Sequence, residues 1–556
     1  MRRTVRLLAV PLGPDGGDPG LTAAFRQDLA REIDVRAAGI VDELNLELER
    51  QGRPPQGTGG RQCARPTYPR NPTLGHVLVM RPSSILPTAM VVAAIASVFA
   101  APADLAAQST ATGADAADST RGPTPEQRYG DWVRRLPFRP QEYSFRRSNM
   151  IRLLRESGGG VLLVPSSDGR THGDTFRQLE DFWYYTGLEV PNSMLVLDSE
   201  NDRSILFLPE TDYRFENPGR PNDFPGRPLL EDYQLRSIGG VEEYRSMEEL
   251  ERYLAQRVRA RTVLRVNGGA PGALIEPELP LFGALDPTQT MILRLRQDHP
   301  NARMANAFEE VAQGRMIKSR YEIQKMQTAA DATVQAIRSA AARVRAGVDE
   351  RTLQGVFEST CRSLGAQTIP FTPIIKAGPN SLWPWRVLAA HYDRRNHPLE
   401  SDELVIFDVG CEIDGYISDV GRTFPVGGTF SPLQEEKLRL STSVADAIIE
   451  AIRPGVTFAD LMEVAHAAIP EDEKKYMQTG SFFGHHIGMN AGDPALMGEP
   501  LAEGMVFTVE PWYYNHDLGI SVFVEDVILV TEDGAEVLTQ GLARTPEALE
   551  ALIRSP

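Results

Sequence analysis

At 556 residues the chain exceeds what one hydrophobic core usually supports, and 42% hydrophobic with 24% charged residues is the make-up of a globular protein, not a disordered or fibrous one. With 75 acidic against 58 basic residues, a formal charge of −17, it lacks the cationic excess that nucleic acid demands, so no nucleic-acid partner is expected. Three cysteines, Cys63, Cys361 and Cys411, with no CxxC pair, exclude a disulfide framework and a thiolate metal site, so any metal would be held by oxygen and imidazole. Cys361 falls in an expected helix and Cys411 on an expected strand, and no bond between them is anticipated.

In chain order, residues 1–79 are Arg-, Pro- and Gly-rich and are expected to be a spurious or disordered extension. From Met80 a basic residue, Arg81, precedes an apolar run from Ile85 to Ala101 and small residues at Ala103–Ala107. That order is a secretory signal peptide (80–107), which implies translation from Met80 and a secreted or periplasmic protein. Membrane contact would come only through this segment if it stayed uncleaved. Residues 108–125 read as a flexible linker.

Between 126 and 310, short apolar runs (VLLV, 161–164; SMLVLD, 193–198; SILFLP, 204–209) alternate with helical stretches such as SMEELERYLAQRV, the pattern of an α/β domain. GGG at 158–160 lacks the spacing of a phosphate-binding turn and reads as a helix stop. A second domain, 318–546, opens with a long Ala-rich helix stopped by Gly347 and a second helix ending at Gly365. The strand-like runs ELVIFDVG, MVFTVEP and ISVFVEDVILV follow, with a helical block near 432–452. An α+β fold with helices outside a curved antiparallel sheet is inferred.

The strongest local signal is FDVGCEIDGYISDVGRTFP. Asp414-Gly415 is a hairpin turn, and Asp408 and Asp419 lie on its two arms, opposite or nearly opposite. Two carboxylates so close among Val, Ile and Phe repel each other unless a cation neutralises them; two solvent-facing strand acids are the alternative. Glu510 in MVFTVEP and Glu525 in ISVFVED occupy similarly apolar strands, and His485 precedes another. Together four acids and an imidazole suit a hard or borderline dication.

The ordered set Asp408, Asp419, His485 in H-x-I-G, Glu510 in T-V-E-P and Glu525 in V-E-D resembles the five metal ligands of the pita-bread metallopeptidases. GYISDVGRTFPVGG, AGPN (377–380) and HYDRRN from His391 are similar to the aminopeptidase P and prolidase branch. YSFRRSNM, DTFRQLEDFWYYTGL and SILFLPETD resemble the leading domain of aminopeptidases P. The resemblance implies an α/β N-terminal domain followed by a pita-bread catalytic domain. It further implies two divalent ions, Mn²⁺ first with Co²⁺, Fe²⁺ or Zn²⁺ as alternatives, bridged by Asp419 and Glu525, with Asp408 completing one site and His485 and Glu510 serving the other. An attacking hydroxide shared by the ions, Glu510 as proton shuttle and His391 as donor to the substrate carbonyl would release the N-terminal residue of peptides with proline second.

The same resemblance admits an Xaa-Pro dipeptidase and, further off, a non-peptidase hydrolase or a non-catalytic metal-binding relative; it also admits a homo-oligomer. Three positions depart from its pattern. Gly492 stands where a second cleft histidine follows His485 by seven residues, Asn490 replaces an acid, and Phe523 replaces an arginine two residues before Glu525. His486 and His516 are the candidates to replace the missing donor, and a stretch LWPWRV adds two tryptophans before His391.

Overall fold

The structure, a computed structural model, describes residues 136–554 apart from 169–175, 211–229, 231–235, 237, 277–284, 384–395 and 478–482. The expected extension, signal segment and linker, and His391, lie outside the described residues. Among those described, no helix is long and apolar enough to cross a membrane.

Helix α1 (Pro140–Glu156) begins with proline, where the missing N–H has no intrahelical acceptor to lose, and is followed by Gly158, Gly159 and Gly160, all at positive φ. The glycine run is a helix stop, as read from its spacing. Strands β1 (Val161–Pro165), β2 (Met194–Asp198) and β3 (Arg203–Leu208) are the apolar runs of the sequence. With β4 (Glu243–Ser246), β5 (Val263–Val266) and β6 (Arg303–Asn306) they form a six-stranded sheet, order β4-β3-β2-β1-β5-β6. The central pairs β1–β2 and β2–β3 are antiparallel and the flanking ones parallel. Helices α2 (Glu180–Thr186), α3 (Leu250–Arg259) and α4 (Pro287–Asp298) pack against it. Leu162 and Val164 point to one core, Val161 and Leu163 to another, which is why β1 is apolar at every position and does not alternate.

Helix α5 (Phe308–Met316) leads into the C-terminal half. There α6 (Arg320–Ala341) starts in a capping box of Ser319 and Glu322 and packs on α7 (Glu350–Ser363), capped by Asp349. Strand β7 (Ile374–Ala377), the short helix α8 (Gly378–Ser381) on the AGPN motif, and β8 (Leu404–Val409) follow. A hairpin continues through β9 (Glu412–Ile413), β10 (Tyr416–Ile417) and β11 (Val420–Pro425). Its turn has Asp414 at φ 52° and Gly415 at φ 80°, the pair of positive values that a two-residue hairpin loop needs. After α9 (Pro432–Ala451) and α10 (Phe458–Ala468), a second hairpin runs through β12 (Val506–Val509), β13 (Trp512–Asn515), β14 (Ile520–Phe523) and β15 (Asp526–Val530) to β16 (Ala535–Val537) and α11 (Pro546–Arg554). All strand pairs in this half are antiparallel, as expected. One apolar core unites the halves: Leu162 and Tyr185 share it with Tyr416, Ile487 and Met489.

The sequence reading of the cysteines is corrected. Cys361 on α7 and Cys411, just past β8, are both fully buried, stand 5.6 Å apart at Cα, and form a disulfide. Treating the helix and the strand as separate elements hid that α7 packs on the sheet's own core, where Cys361, Val409 and Cys411 meet. The bond spans 50 residues of sequence, so reducing it should lower stability by about 4 kcal/mol through the unfolded chain's regained freedom. Urea unfolding with and without a reductant measures this, and coincident midpoints would show that the bond adds nothing.

Candidate metal centre

Both hairpins break their ladder beside their acids. In the first, Asp408 pairs with Gly421, and the ladder then lapses between Val409–Val420 and Glu412–Ile417. Asp419 sits in that lapse, offset by two residues from the partner of Asp408 and hence on the same face. In the second, pairing lapses between Val509–Asp526 and Trp512–Phe523, and Glu510 and Glu525 lie in the gap in matching register. The hairpins meet where Gly421 and Glu525 exchange backbone hydrogen bonds of 3.3 and 3.0 Å. Gly421 is needed there because a Cβ would lie 2.3 Å from the Phe523 ring and 2.8 Å from the Glu525 Cβ.

His485 is brought in by its own backbone. Its carbonyl accepts from Thr508 N–H at 2.8 Å, its N–H donates to Thr508 Oγ1 at 3.0 Å, and Glu510 N–H donates to Phe483 O at 3.0 Å. The imidazole Nε2 then lies 3.7 Å from both Asp419 Oδ2 and Glu510 Oε1. Asp419, His485 and Glu525 each offer an atom within 4.8 Å of the others. All five expected ligands therefore meet in one place. The acids do so in the interior: Asp408, Asp419 and Glu525 are buried, and Asp419 Oδ1 and Glu525 Oε2 have no hydrogen-bond partner.

The electrostatics follow from that crowding. Burial, with the Glu510 charge added, pushes Asp408 up to about 8. Burial and then the neighbouring carboxylates raise Asp419 and Glu525 well above the carboxylate range. Glu510 is raised by burial and partly relieved by His485. Orphaned anionic oxygens converging on an imidazole are a donor set that fits divalent cations, with oxygen and nitrogen and no sulfur.

Arg422, which the sequence reading passed over, holds the frame. Fully buried, it donates to the carbonyls of Gly421 and Glu525 at 2.6 and 2.5 Å and to Asp526 Oδ1 at 2.7 Å. Its signal was an arginine between apolar strand residues in GRTFP. Asp493 was also missed: Arg315 (2.5 Å) and Lys318 (3.0 Å) clamp it, and Arg315 reaches Asp181 of α2 at 2.7 Å, tying the His485 loop to the N-terminal half. Beside this clamp lies a cavity of about 670 Å³ lined by Leu162, Asn267, Glu180, His485, Asn490 and Gly492 among others.

His486 is no substitute donor. It is buried edge-on against Phe458, close to Phe507, and burial pushes its ring down to about 3, so it stays neutral. His516 is exposed and stacks on Trp383 at 4.1 Å. Phe523, at the arginine's place, is fully buried with Ile374, Ile406 and Trp512.

The raised carboxylates bind protons more tightly in the folded than in the unfolded state. Below the ordinary carboxylate range both states are protonated and nothing is lost; as pH rises from there through about 8, the metal-free fold loses stability. In a chelator the melting temperature should thus fall from about pH 5 to about pH 8, and an added dication should restore it. Equal melting temperatures across that range would refute the crowding.

The sequence profile of metallopeptidase family M24 matches residues 324–532, and that of the aminopeptidase P N-terminal domain matches 143–265. Among curated relatives, the mitochondrial intermediate cleaving peptidase 55 of Arabidopsis thaliana is 26% identical over 447 residues, covering 75% of this chain and 84% of its own. The Xaa-Pro aminopeptidase of Escherichia coli is 27% identical over 453 residues, covering 74% and 97%. The solved structure of E. coli aminopeptidase P with the inhibitor Pro-Leu shares the fold with a TM-score of 0.61 at 24% identity, over 75% of this chain and 99% of that one. The chain is thus similar to metallopeptidase family M24 over residues 324–532, preceded at 143–265 by a match to the aminopeptidase P N-terminal domain.

Proposed function

We propose that the protein is a metallo-aminopeptidase that releases the N-terminal residue from peptides with proline at the second position, using Mn²⁺ or a similar dication. The observation that carries the reading is the convergence of Asp408, Asp419, Glu510 and Glu525 on His485, with buried carboxylate oxygens left unpartnered. Two dications held there supply polarisation of the scissile carbonyl and an acidified water at neutral pH. In this reading Asp419 and Glu525 would serve both ions, Asp408 would help hold one, and His485 and Glu510 the other. Glu510, raised by burial, accepts a proton from the attacking water and passes it to the leaving nitrogen. His391 is assigned the hydrogen bond to the substrate carbonyl. The Cys361–Cys411 bond supports work in an oxidising compartment, reached through the segment from Met80.

Two peptides differing only in Pro or Ala at the second residue, assayed beside a metal analysis, test this. Wild type should hold two ions and prefer Pro, and Asp419→Ala should lose both metal and turnover; equal rates on the two peptides would remove the proline assignment. Cleavage of tripeptides and longer chains marks an aminopeptidase, whereas cleavage of dipeptides alone marks the dipeptidase.

Gly492 is exposed, its φ is outside the left-handed region, and a Cβ there meets nothing within 4 Å. The backbone therefore has no conformational need for glycine, and Gly492→His should fold as well as wild type. A donor aimed at developing charge contributes on the order of a hundredfold, so turnover should rise by roughly tenfold or more with metal content unchanged. An unchanged rate in a protein of unchanged melting temperature would mean that residue 492 does not face the substrate.

A further inference from the structure

Two residues beyond Glu510, on the same strand face, Trp512 is buried at 3% exposure, and its indole N–H donates to Glu510 Oε2 at 3.4 Å. The other carboxylate oxygen, Oε1, is the one that faces His485. The carboxylate is thus divided between a ring donor behind it and the candidate metal centre in front. The indole is itself fixed. Phe523 stacks on it with centroids 3.5 Å apart and planes at 21°, and Tyr514 lies on it at 5.3 Å and 11°. Phe523 in turn is fully buried over Gly421, the residue that joins the two hairpins.

A buried indole N–H has one hydrogen to give, and a carboxylate ligand rotates about its last bond unless something holds its far oxygen. We propose that Trp512, held by its stack on Phe523, is a positioning residue that orients the Glu510 carboxylate for metal binding; this rests on the metallopeptidase reading above. Neither ring is among the five candidate ligands. Their effect passes through Glu510 alone, which sets them apart from residues that merely fill the core around it.

The test is a metal titration of the chelator-treated protein with Mn²⁺, followed by calorimetry. Trp512→Phe keeps a ring for the stack and removes the donor, and it should weaken binding by about tenfold or more, the usual effect of losing an outer hydrogen bond to a ligand. Phe523→Leu, which leaves the donor but frees the indole to tilt, should weaken binding in the same direction. In a Glu510→Ala background neither substitution should weaken binding any further at the remaining ligands. Additional loss in that background would assign Trp512 and Phe523 a general structural role and overturn the proposal. So would a wild-type affinity retained in both single variants. A wild type that bound no metal would overturn the metallopeptidase reading together with this one, whereas normal metal binding in every variant would remove only the role of Trp512.

Discussion

Like charges brought together inside a protein set the terms for the C-terminal half. At about 5 Å and an effective dielectric near 20, each pair of ionised carboxylates repels by on the order of 3 kcal/mol. Four acids make several such pairs, enough to rival the roughly 5–15 kcal/mol by which a whole domain is stable. Asp408, Asp419, Glu510 and Glu525 therefore either keep protons or share cations, and the upward displacement of all four is the metal-free form of that choice. His485 is the single ring among them and is partly exposed, so it relieves Glu510 without neutralising the group.

The backbone makes that arrangement rigid. Each hairpin gives up part of its ladder where its acids sit, and a lapse in pairing frees the strand to turn a side chain toward the opposite arm. The loss is made good elsewhere: Gly421 lets the hairpins touch and exchange two hydrogen bonds, and Arg422 donates to the carbonyls on both sides of that contact. A guanidinium buried with several acceptors is stable only when its donors are met, and Asp526 with the carbonyls of Leu542 and Ala543 completes the set. The strand geometry is thus held by hydrogen bonds of the chain itself.

Much of this was legible in the sequence because it rests on local rules. Asp-Gly between apolar runs specifies a tight turn, and the turn fixes which face Asp408 and Asp419 share. Glycine stops at Gly347 and Gly365 placed the ends of the long helices to within a few residues. What escaped notice depends on contacts between distant segments. The Cys361–Cys411 bond needs α7 to lie on the core side of β8, and the Arg315–Asp493–Lys318 clamp joins residues about 175 apart in sequence, so no spacing rule signals either. The stack of Trp512 on Phe523 was hidden differently. Phe523 stood out singly as a departure and Trp512 did not stand out, and only the pairing of β13 with β14 makes them one unit.

That distinction bears on the departures in the cleft. At Phe523 the side chain is turned into an apolar cluster with Ile374, Ile406 and Trp512, so this position has been absorbed into the core. At Gly492 the opposite holds. Its neighbour Asp493 is buried, held below the usual carboxylate range because Arg315 and Lys318 outweigh the burial that opposes its charge. Asp493 also accepts from the N–H of Met489, four residues earlier, so the loop from His485 onward is pinned at its far end. A loop pinned there keeps residue 492 at the edge of the cavity that His485 lines, whether or not it carries a side chain. The loop at residue 492 is therefore held in place without a side chain there, and the candidate ligands beside it keep their positions, so a change at 492 and a change in the carboxylate cluster are separable.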